Sequence, residues 1–377
     1  EGTRANGDLV GGMTTRRSAS PSAPNGKGNA INNKVTLKAG IVGSASDSKS
    51  VYGGYTTDRS DGDAISNKVF IEGGTVMGDV LGGAANAGGN ATGNEVTVKS
   101  GEVHQDVYGG YAAIGNATGN TVTMAGSGTV YQHIYGGWAA NGDATGNTVN
   151  LGDGTSSAVG TITGTIFGGK TAHIAKNQTK DNKLNVNANA QAGNIENFST
   201  INFDFSHVDT SRTLLKLDNV YNNKTKLQSL DQLHVKNAKV GDGTLIENAH
   251  GIELGDSTAV GRTADKTETI IRKHTNGDKI IYRTYQFKDA TAADTDRFSA
   301  TWGGRSLLGN TTTNNVVELN GDHPTHSVYG GWTTKDPAIT TAGSAEGHSI
   351  NNKVTFSGAA SDKVKEMFGG LTAATGG

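Results

Sequence analysis

The chain of 377 residues contains no cysteine, only 4 prolines and almost no net charge. Without cysteine it can form neither a disulfide framework nor a thiolate metal site. Its 33 Lys and Arg nearly balance its 35 Asp and Glu, which leaves a formal net charge of −2. This balance argues against binding to nucleic acid, because a phosphate backbone is bound by clustered basic residues. The sequence also lacks any apolar run of about 18 residues, so no part of it is predicted to span a bilayer.

What the chain has in quantity is glycine and small polar residues. It contains 56 glycines, while apolar residues make up 34% and charged residues 18% of the sequence. Disorder requires high net charge and few β-branched residues, and neither condition holds here. Asn, Thr, Ser and Gly favour turns and short strands. The composition therefore predicts an all-β protein with many turns and a thin core.

Two short signatures alternate along the sequence. The first is an apolar pair followed by Gly-Gly, and it occurs at residues 9–12, 51–54, 80–83, 107–110, 134–137, 166–169, 328–331 and 367–370, with a degenerate copy at 301–304. The second is an Asn with apolar residues two and four positions later, and it begins at Asn33, Asn67, Asn94, Asn120, Asn147, Asn182, Asn315 and Asn352. Spacing by two places the apolar residues on one face of a strand.

The spacing of the asparagines predicts the architecture. The steps from Asn67 to Asn94, Asn120 and Asn147 are 27, 26 and 27 residues. A third apolar strand is expected between the signatures, as in Val76 to Val80. Three short strands per coil of this length are typical of a parallel β-helix, which we expect to be right-handed. Helical repeats would need a period of 3.6 residues, and a β-propeller blade would need four strands.

Stacking of the coils would explain the choice of residues. Equivalent residues would lie about 4.8 Å apart, so that Val and Ile form core columns. A column of Asn could satisfy its amide groups along the stack. We expect Gly-Gly at bends where a side chain would clash or where φ is positive.

The repeats divide the chain into three regions. We predict regular β-helix coils at 1–186, irregular β coils at 187–300 and resumed coils at 301–377. Asn276-Gly277 predicts a two-residue hairpin turn, so a hairpin is expected to project near 269–285. A separate inserted domain is the alternative for the middle region. Both ends of the chain fall inside a repeat, so we expect it to be part of a longer protein.

The units "VYGGYA" and "GNTVTM", together with the segment "IENFSTINFDFSHV", resemble the passenger region of Gram-negative autotransporter adhesins. The resemblance covers most of the chain and rests on structural motifs. It implies a right-handed β-helix that is exported through an outer-membrane barrel and displayed outside the bacterial cell. The implied activity is adhesion or cell–cell aggregation.

One position suggests a binding surface. The residue after Gly-Gly is aromatic at Tyr55, Tyr111, Trp138 and Trp332, and these are our candidate binding residues. The same position is Lys170 in another coil, so it is not expected to be fully buried. Exposed aromatic side chains suit contacts with glycans or proteins. The alternative is that the rings only cover the Gly-Gly bends.

Another position suggests catalysis. Asp79 and Asp106 precede the apolar pair in successive coils, so their carboxylates would lie about 5 Å apart. A retaining glycosidase uses such a separation, and calcium could bind there as well. The alternative is an outward polar column whose side chains only need to be soluble.

We expect neither a metal nor a cofactor. His323 and His326 have no third ligand nearby, and the acidic loop at 58–63 lacks a closing Glu.

The leading hypothesis is therefore a non-enzymatic adhesin or stalk segment at the cell surface. Its partners would be a host or bacterial surface protein, a glycan, or a second copy of the chain, bound by repeated weak contacts. The main alternative is a polysaccharide-acting enzyme that uses Asp79 and Asp106. A further alternative is a mechanical stalk whose binding tip lies elsewhere.

Overall fold

The computed structural model describes most of residues 3–256 and shorter pieces beyond them. The described ranges are 3–15, 28–58, 60–173, 175–218, 222–239, 241–256, 260–264, 267–274, 276–286, 300–302, 305–306, 312–313, 316–320, 327–329, 332–334, 349–350, 352–357 and 366–373. The chain forms two compact units. One comprises residues 1–226, 232–234 and 246–252, and the other comprises 227–231, 235–245 and 253–377.

The first unit is a stack of parallel strands, which confirms the predicted parallel β-helix. The Gly-Gly sheet consists of strands Leu9–Thr14, Val51–Thr56, Val80–Ala85, Val107–Ala112, Ile134–Ala139, Thr165–Thr171 and Asn194–Glu196. The Asn sheet contains Lys34–Leu37, Lys68–Ile71, Glu95–Val98, Thr121–Met124, Thr148–Leu151, Lys183–Val186 and Thr200–Asp204. Each strand pairs in parallel with the equivalent strand of the next coil, as Tyr108 does with Tyr135.

Two further sheets are built from two-residue strands. The Ala sheet contains Ala30–Ile31, Ala64–Ile65, Ala91–Thr92, Ala117–Thr118 and Ala144–Thr145. The Val sheet contains Arg4–Ala5, Ile41–Val42, Thr75–Val76, Glu102–Val103 and Thr129–Val130. A regular coil therefore has four strands where the sequence predicted three. Val76 ends one short strand and Val80 begins the Gly-Gly strand, so the expected third strand is shorter than predicted.

Stacking continues beyond the last regular coil. Ala158–Thr161, Asn189–Ala192 and Leu215–Leu217 pair in parallel with one another. Further along the chain follow the strands Thr225–Ser229, Leu233–Lys236, Gly241–Asn248 and Ile252–Asp256, and the 3-10 helix Leu230–Gln232. Apolar columns of the first unit, such as Val80, Val107 and Ile134, are fully buried. Small alanines line the core at the Ala sheet, where Ala91, Ala117 and Ala144 pack together.

A ladder of buried asparagines joins the coils. The Asn120 Nδ2 group donates to Asn147 Oδ1 at 3.0 Å and to the Ala91 carbonyl at 2.9 Å. The Asn120 Oδ1 atom accepts from the backbone N–H and from the side-chain amide of Asn94, both at 3.0 Å. Asn120 and Asn147 are fully buried, and the same pattern extends to Asn67 and Asn182. The predicted ladder is confirmed, and its amide groups are saturated.

The glycine pair is explained by this ladder. A Cβ atom at Gly110 would collide with the side chain of Asn120, and a Cβ atom at Gly109 would collide with the carbonyl oxygen of Gly136. The expectation of a steric clash is therefore correct, but the pair lies inside strand Val107–Ala112 and not at a bend. The expectation of positive φ is wrong for this pair, because among the described residues the positive φ values lie elsewhere, as at Gly119 with 65°. Gly119 turns the chain immediately before Asn120, so the ladder residue is aimed into the core.

The second unit contains the predicted hairpin. Thr267–Lys273 pairs antiparallel with Lys279–Gln286, and Val260–Ala264 adds a third antiparallel strand. The turn is longer than the predicted two residues, because the His274 N–H donates to the Lys279 carbonyl and closes a wider loop. Gly277 has a φ of 79° within that loop.

Parallel stacking also occurs in the second unit. The stacked strands are Ala300–Trp302 with Ser327–Tyr329 and Glu366–Phe368, Arg305–Ser306 with Trp332–Thr334 and Leu371–Ala373, Thr312–Thr313 with Ser349–Ile350, and Val316–Asn320 with Lys353–Ser357. Trp302 pairs with Tyr329, so the degenerate copy of the first signature belongs to the stack.

We predict that Asn120→Ala destabilises the chain by about 3 kcal/mol, because four side-chain hydrogen bonds are lost and their buried partners are left unsatisfied. Denaturant-induced unfolding measures the change. The control is Thr121→Ala, on the outward face of the same strand, which should stay within about 0.5 kcal/mol of the unsubstituted chain. Equal stability of the two variants would contradict a structural ladder.

Candidate functional site

Two aromatic columns cover the outer face of the Gly-Gly sheet. The first aromatic column contains Tyr52, Leu81, Tyr108, Tyr135 and Phe167, and the second contains Tyr55, Ala84, Tyr111, Trp138 and Lys170. Positions two and five of a regular strand would point to opposite faces. Here both point outward, because the in-and-out alternation breaks at Gly-Gly while the first and last residues of the strand stay buried. The glycine pair therefore brings two side chains of every coil onto one surface.

The rings stack along the axis of the coils. Tyr111 and Trp138 have ring centroids 4.8 Å apart and planes inclined by 7°. Tyr108 and Tyr135 are also 4.8 Å apart, and Tyr135 lies 5.0 Å from Phe167. Such nearly parallel rings at this distance are offset-stacked. Within a stack each ring covers the face of its neighbour, so mainly ring edges are presented to the solvent.

The columns also shield the backbone. Tyr108 and Tyr111 meet edge to face, with centroids 5.9 Å apart, on either side of Gly109-Gly110. Both glycines are buried, although they carry no side chain of their own. Tyr108 and Tyr111 themselves are half-buried. The rings therefore protect the glycine backbone and keep part of their own surface available for contact.

Burial also changes the acidity of the tyrosines. It is the largest cause that raises the pKa of Tyr52, to about 12, with nearby Asp8 as a further cause. Burial and the neighbouring carboxylates also raise the pKa of Tyr108 and Tyr135. The first aromatic column therefore stays neutral at physiological pH.

The structure locates all four candidate binding residues predicted from the sequence. Tyr55, Tyr111 and Trp138 lie in the second aromatic column, and each is half-buried. Trp332 belongs to the second unit, where its ring is 5.3 Å from Tyr329. The first aromatic column was not predicted from the sequence, because Tyr108 and its equivalents look there like members of an apolar pair. The recurrence of aromatic residues at that position was the available signal.

Asp79 and Asp106 belong to a second ladder, the acid ladder, and do not form an open pair. Its members are Asp8, Ser50, Asp79, Asp106, His133 and Thr165. In each step a side-chain acceptor takes the backbone N–H of the next member. The Asp106 N–H donates to Asp79 Oδ1 at 3.0 Å, and the His133 N–H donates to Asp106 Oδ1 at 2.8 Å. These hydrogen bonds join consecutive coils. They give the column of Asp79 and Asp106 a structural role, which supports the non-catalytic interpretation of these residues.

Asp79 and Asp106 differ in their surroundings. Burial, as the largest cause, raises the pKa of Asp79, and the neighbouring Asp106 carboxylate acts in the same direction. The second oxygen of Asp106 accepts a hydrogen bond from the Tyr108 hydroxyl at 2.9 Å. Both carboxylates are half-buried and already bonded to the fold.

The acidic loop has a structural role as well. Asp63 Oδ1 accepts the backbone N–H of Asn90 at 2.7 Å, and Asp61 Oδ1 accepts that of Gly88 at 3.3 Å. No group of three or more metal-ligating side chains comes together among the described residues. His323 and His326 lie outside the described residues.

Within the part of the chain that the structure describes, no helix is long and apolar enough to cross a membrane.

Comparison of the chain with protein-family models, with curated proteins and with solved structures finds no match. The geometry of the two aromatic columns and of the acid ladder is therefore the basis for a functional interpretation.

We predict that Asp79→Asn leaves the chain at least as stable as before at neutral pH. Asn keeps an Oδ1 acceptor for the Asp106 N–H and removes a half-buried charge. Because the pKa of Asp79 is raised by folding, the folded chain binds more protons, and stability falls as pH rises from the usual value of 3.8 through the raised one. The stability gained by Asp79→Asn should therefore be largest above this pH range and become smaller in acid.

The matched control is Asp79→Ala, which removes the acceptor and should cost about 1 kcal/mol. Denaturant unfolding at acid and neutral pH measures both variants. A loss of stability in Asp79→Asn as large as that in Asp79→Ala would show that the charge, and not the acceptor, matters.

Proposed function

We propose that the chain is a non-enzymatic segment of a surface-displayed adhesive protein, and that the aromatic columns of the Gly-Gly sheet are its binding surface. The observation that carries this proposal is the recurrence in register of outward, half-buried aromatic residues such as Tyr55, Tyr111 and Trp138, with one interruption at the buried Leu81 and Ala84. The resemblance to autotransporter passengers supports display outside the bacterial cell. Its partner would be a host or bacterial surface protein, a glycan or a second copy of the chain.

Such a surface would bind through many weak contacts. Each coil adds one more pair of outward side chains about 4.8 Å along the stack. Contacts that are individually worth about 0.5–1 kcal/mol become strong when they form together on one rigid support. The ladders supply that rigidity, because they fix the height of every coil. A single deep pocket is not required for this mode of binding.

The polysaccharide-acting enzyme remains the alternative function. The raised pKa of Asp79 next to Asp106 is the observation in its favour, since a general acid needs such a shift. Against it, Oδ1 of each carboxylate accepts a backbone N–H, and Asp106 also binds the Tyr108 hydroxyl. The double variant Asp79→Asn and Asp106→Asn discriminates. Sugar release that is present in the original chain and lost in the variant would favour the enzyme.

We predict that the double variant Tyr111→Ala and Trp138→Ala abolishes most adhesion of chain-coated beads to cells or to one another. Two stacked rings are lost from the centre of the second aromatic column, while the ladders stay intact. Bead aggregation and cell attachment measure the effect, with circular dichroism as a check of the fold.

The matched control is Tyr131→Ala, which removes a tyrosine that is 42% exposed and lies outside both columns. Adhesion should persist in this variant. If beads coated with the original chain do not adhere, the mechanical-stalk alternative is favoured. If adhesion survives in the double variant, another surface is responsible.

A further inference from the structure

Asparagine is followed directly by glycine at several places in the chain, namely at residues 6–7, 25–26, 141–142, 276–277 and 320–321. Asn is a thermolabile residue, because the backbone nitrogen of the next residue can attack its side-chain carbonyl carbon. Glycine hinders this attack least, since it has no Cβ atom and its backbone adopts many conformations. The pairs at 6–7, 141–142 and 276–277 lie wholly within the described residues, so the structure shows how the fold holds each of them.

The reaction consumes only water. The backbone nitrogen of the Gly forms a bond to Cγ of the Asn, the bond from Cγ to Nδ2 breaks, and the proton of the Gly nitrogen leaves with Nδ2 as ammonia. Water then opens the cyclic imide at either of its carbonyl carbons. One product is Asp. The other product is isoaspartate, whose backbone runs through the side-chain carbons and is longer by one CH2 group.

The fold leaves the pair Asn6-Gly7 open to this reaction. The pair lies between strand Arg4–Ala5 and strand Leu9–Thr14, and both of its residues are exposed. Among the described residues, neither the Asn6 side chain nor the Gly7 N–H has a hydrogen-bond partner. A Cβ atom added to Gly7 would meet nothing within 4 Å. The Gly7 nitrogen can therefore approach Cγ of Asn6 without the loss of a hydrogen bond.

The fold protects the pair Asn141-Gly142. Asn141 Nδ2 donates to the Ala113 carbonyl at 2.9 Å, and Asn141 Oδ1 accepts a hydrogen bond from His173 Nε2 at 2.8 Å. Gly142 is buried, and a Cβ atom there would collide with the carbonyl oxygen of Gly115. Attack on Cγ of Asn141 would require both side-chain hydrogen bonds to break and a buried backbone segment to move.

The pair Asn276-Gly277, in the hairpin loop, is intermediate. Asn276 is exposed, and its side chain has no hydrogen-bond partner among the described residues. The Gly277 N–H, however, donates to the His274 carbonyl at 2.9 Å. This bond must open before the nitrogen can attack, so the pair is expected to react more slowly than Asn6-Gly7.

We propose that Asn6 is a site of spontaneous deamidation in the folded chain, with water as the co-reactant. Asn276 reacts more slowly, and Asn141 keeps its amide. Each event replaces a neutral amide by a carboxylate, so the net charge of the chain becomes more negative by one. This inference is independent of the proposed adhesive function.

Deamidation of Asn6 also affects the first step of the acid ladder. Asn6 lies two positions before Asp8, whose Oδ1 accepts the Ser50 N–H at 2.8 Å. Ala5 and Leu9, on either side of this segment, are both fixed by parallel pairing with the next coil. An isoaspartate at position 6 lengthens the backbone between these two fixed points. Asp8 is then displaced from Ser50, and the hydrogen bond between them weakens.

Mass spectrometry of the aged chain tests the order of reactivity. The full chain is kept warm at mildly alkaline pH, and the Asp and isoaspartate formed at each Asn-Gly pair are measured at intervals. A sample unfolded in urea gives the rate of each pair without the fold. We expect Asn6 to react at nearly the same rate in both samples. Asn141 should react at least about tenfold more slowly when folded, because two hydrogen bonds must open first.

Two results would overturn the proposal. One is an equal rate at Asn6 and Asn141 in the folded chain. The other is an Asn6 that reacts in urea but keeps its amide in the folded chain.

Two variants separate the effect of the fold from that of the dipeptide. Gly7→Ala fits the open space and hinders the attacking nitrogen, so Asn6 should react several-fold more slowly while circular dichroism stays unchanged. His173→Ala removes one of the two bonds that hold Asn141, so Asn141 should react faster and Asn6 at its original rate. An unchanged rate at Asn6 in Gly7→Ala would contradict attack by the Gly7 nitrogen.

Hydrogen exchange tests the consequence for the acid ladder. The isoaspartate form is separated from the aged chain by ion exchange, and we expect its Ser50 N–H to exchange several-fold faster than in the fresh chain. Asn6→Asp carries the new charge without the longer backbone and should change this exchange less. The Asp106 N–H, which makes the equivalent bond to Asp79, is the internal control. Unchanged exchange at Ser50 in the isoaspartate form would overturn the link to the ladder.

Discussion

The structure depends on one constraint, which is that a buried amide must have all its hydrogen bonds. Asn120 lies in the core with no exposed surface, where an unsatisfied amide would cost about 1–3 kcal/mol for each missing partner. Its partners are supplied by the equivalent Asn of the coils on either side and by the Ala91 carbonyl. The amide is therefore satisfied only when the coils stack in one register. This requirement fixes the spacing to which every other column conforms.

The remaining features follow from that register. The Asn side chain occupies the space beneath Gly110, so this position admits no Cβ atom. The glycine pair in turn brings Tyr108 and Tyr111 onto the same outward face, where their rings cover the bare backbone. The scaffold thus produces an aromatic surface as a consequence of its own packing. The proposed binding surface and the stability of the fold share these rings, which is why the fold control in the adhesion experiment is necessary.

The sequence was sufficient for the architecture but not for every strand. The regular steps between Asn94, Asn120 and Asn147 predicted the stack, because identical polar residues at a constant spacing indicate coils that lie directly over one another. The short strand Ala91–Thr92 was missed, since two residues are too few to show an alternating pattern. The turn at Asn276-Gly277 was predicted too tight, because its length depends on the pairing of His274 with Lys279 and not on the local dipeptide. The candidate aromatic residues were predicted from repetition alone, whereas the stacking of their rings is visible only in the three-dimensional structure.

The acid ladder shows how scaffold and function can be separated in a repetitive protein. Its positions require only a side-chain acceptor within reach of the next backbone N–H, and Ser50, Asp79 and the Nδ1 atom of His133 all meet that requirement. Such a position varies in chemistry while it stays constant in role, so a carboxylate there is weak evidence for catalysis. The second aromatic column behaves in the opposite way. No ladder bond constrains Ala84 or Lys170, so the side chains at this position are free to differ in size and charge from coil to coil. In this fold the positions that the scaffold leaves free are where specificity can arise.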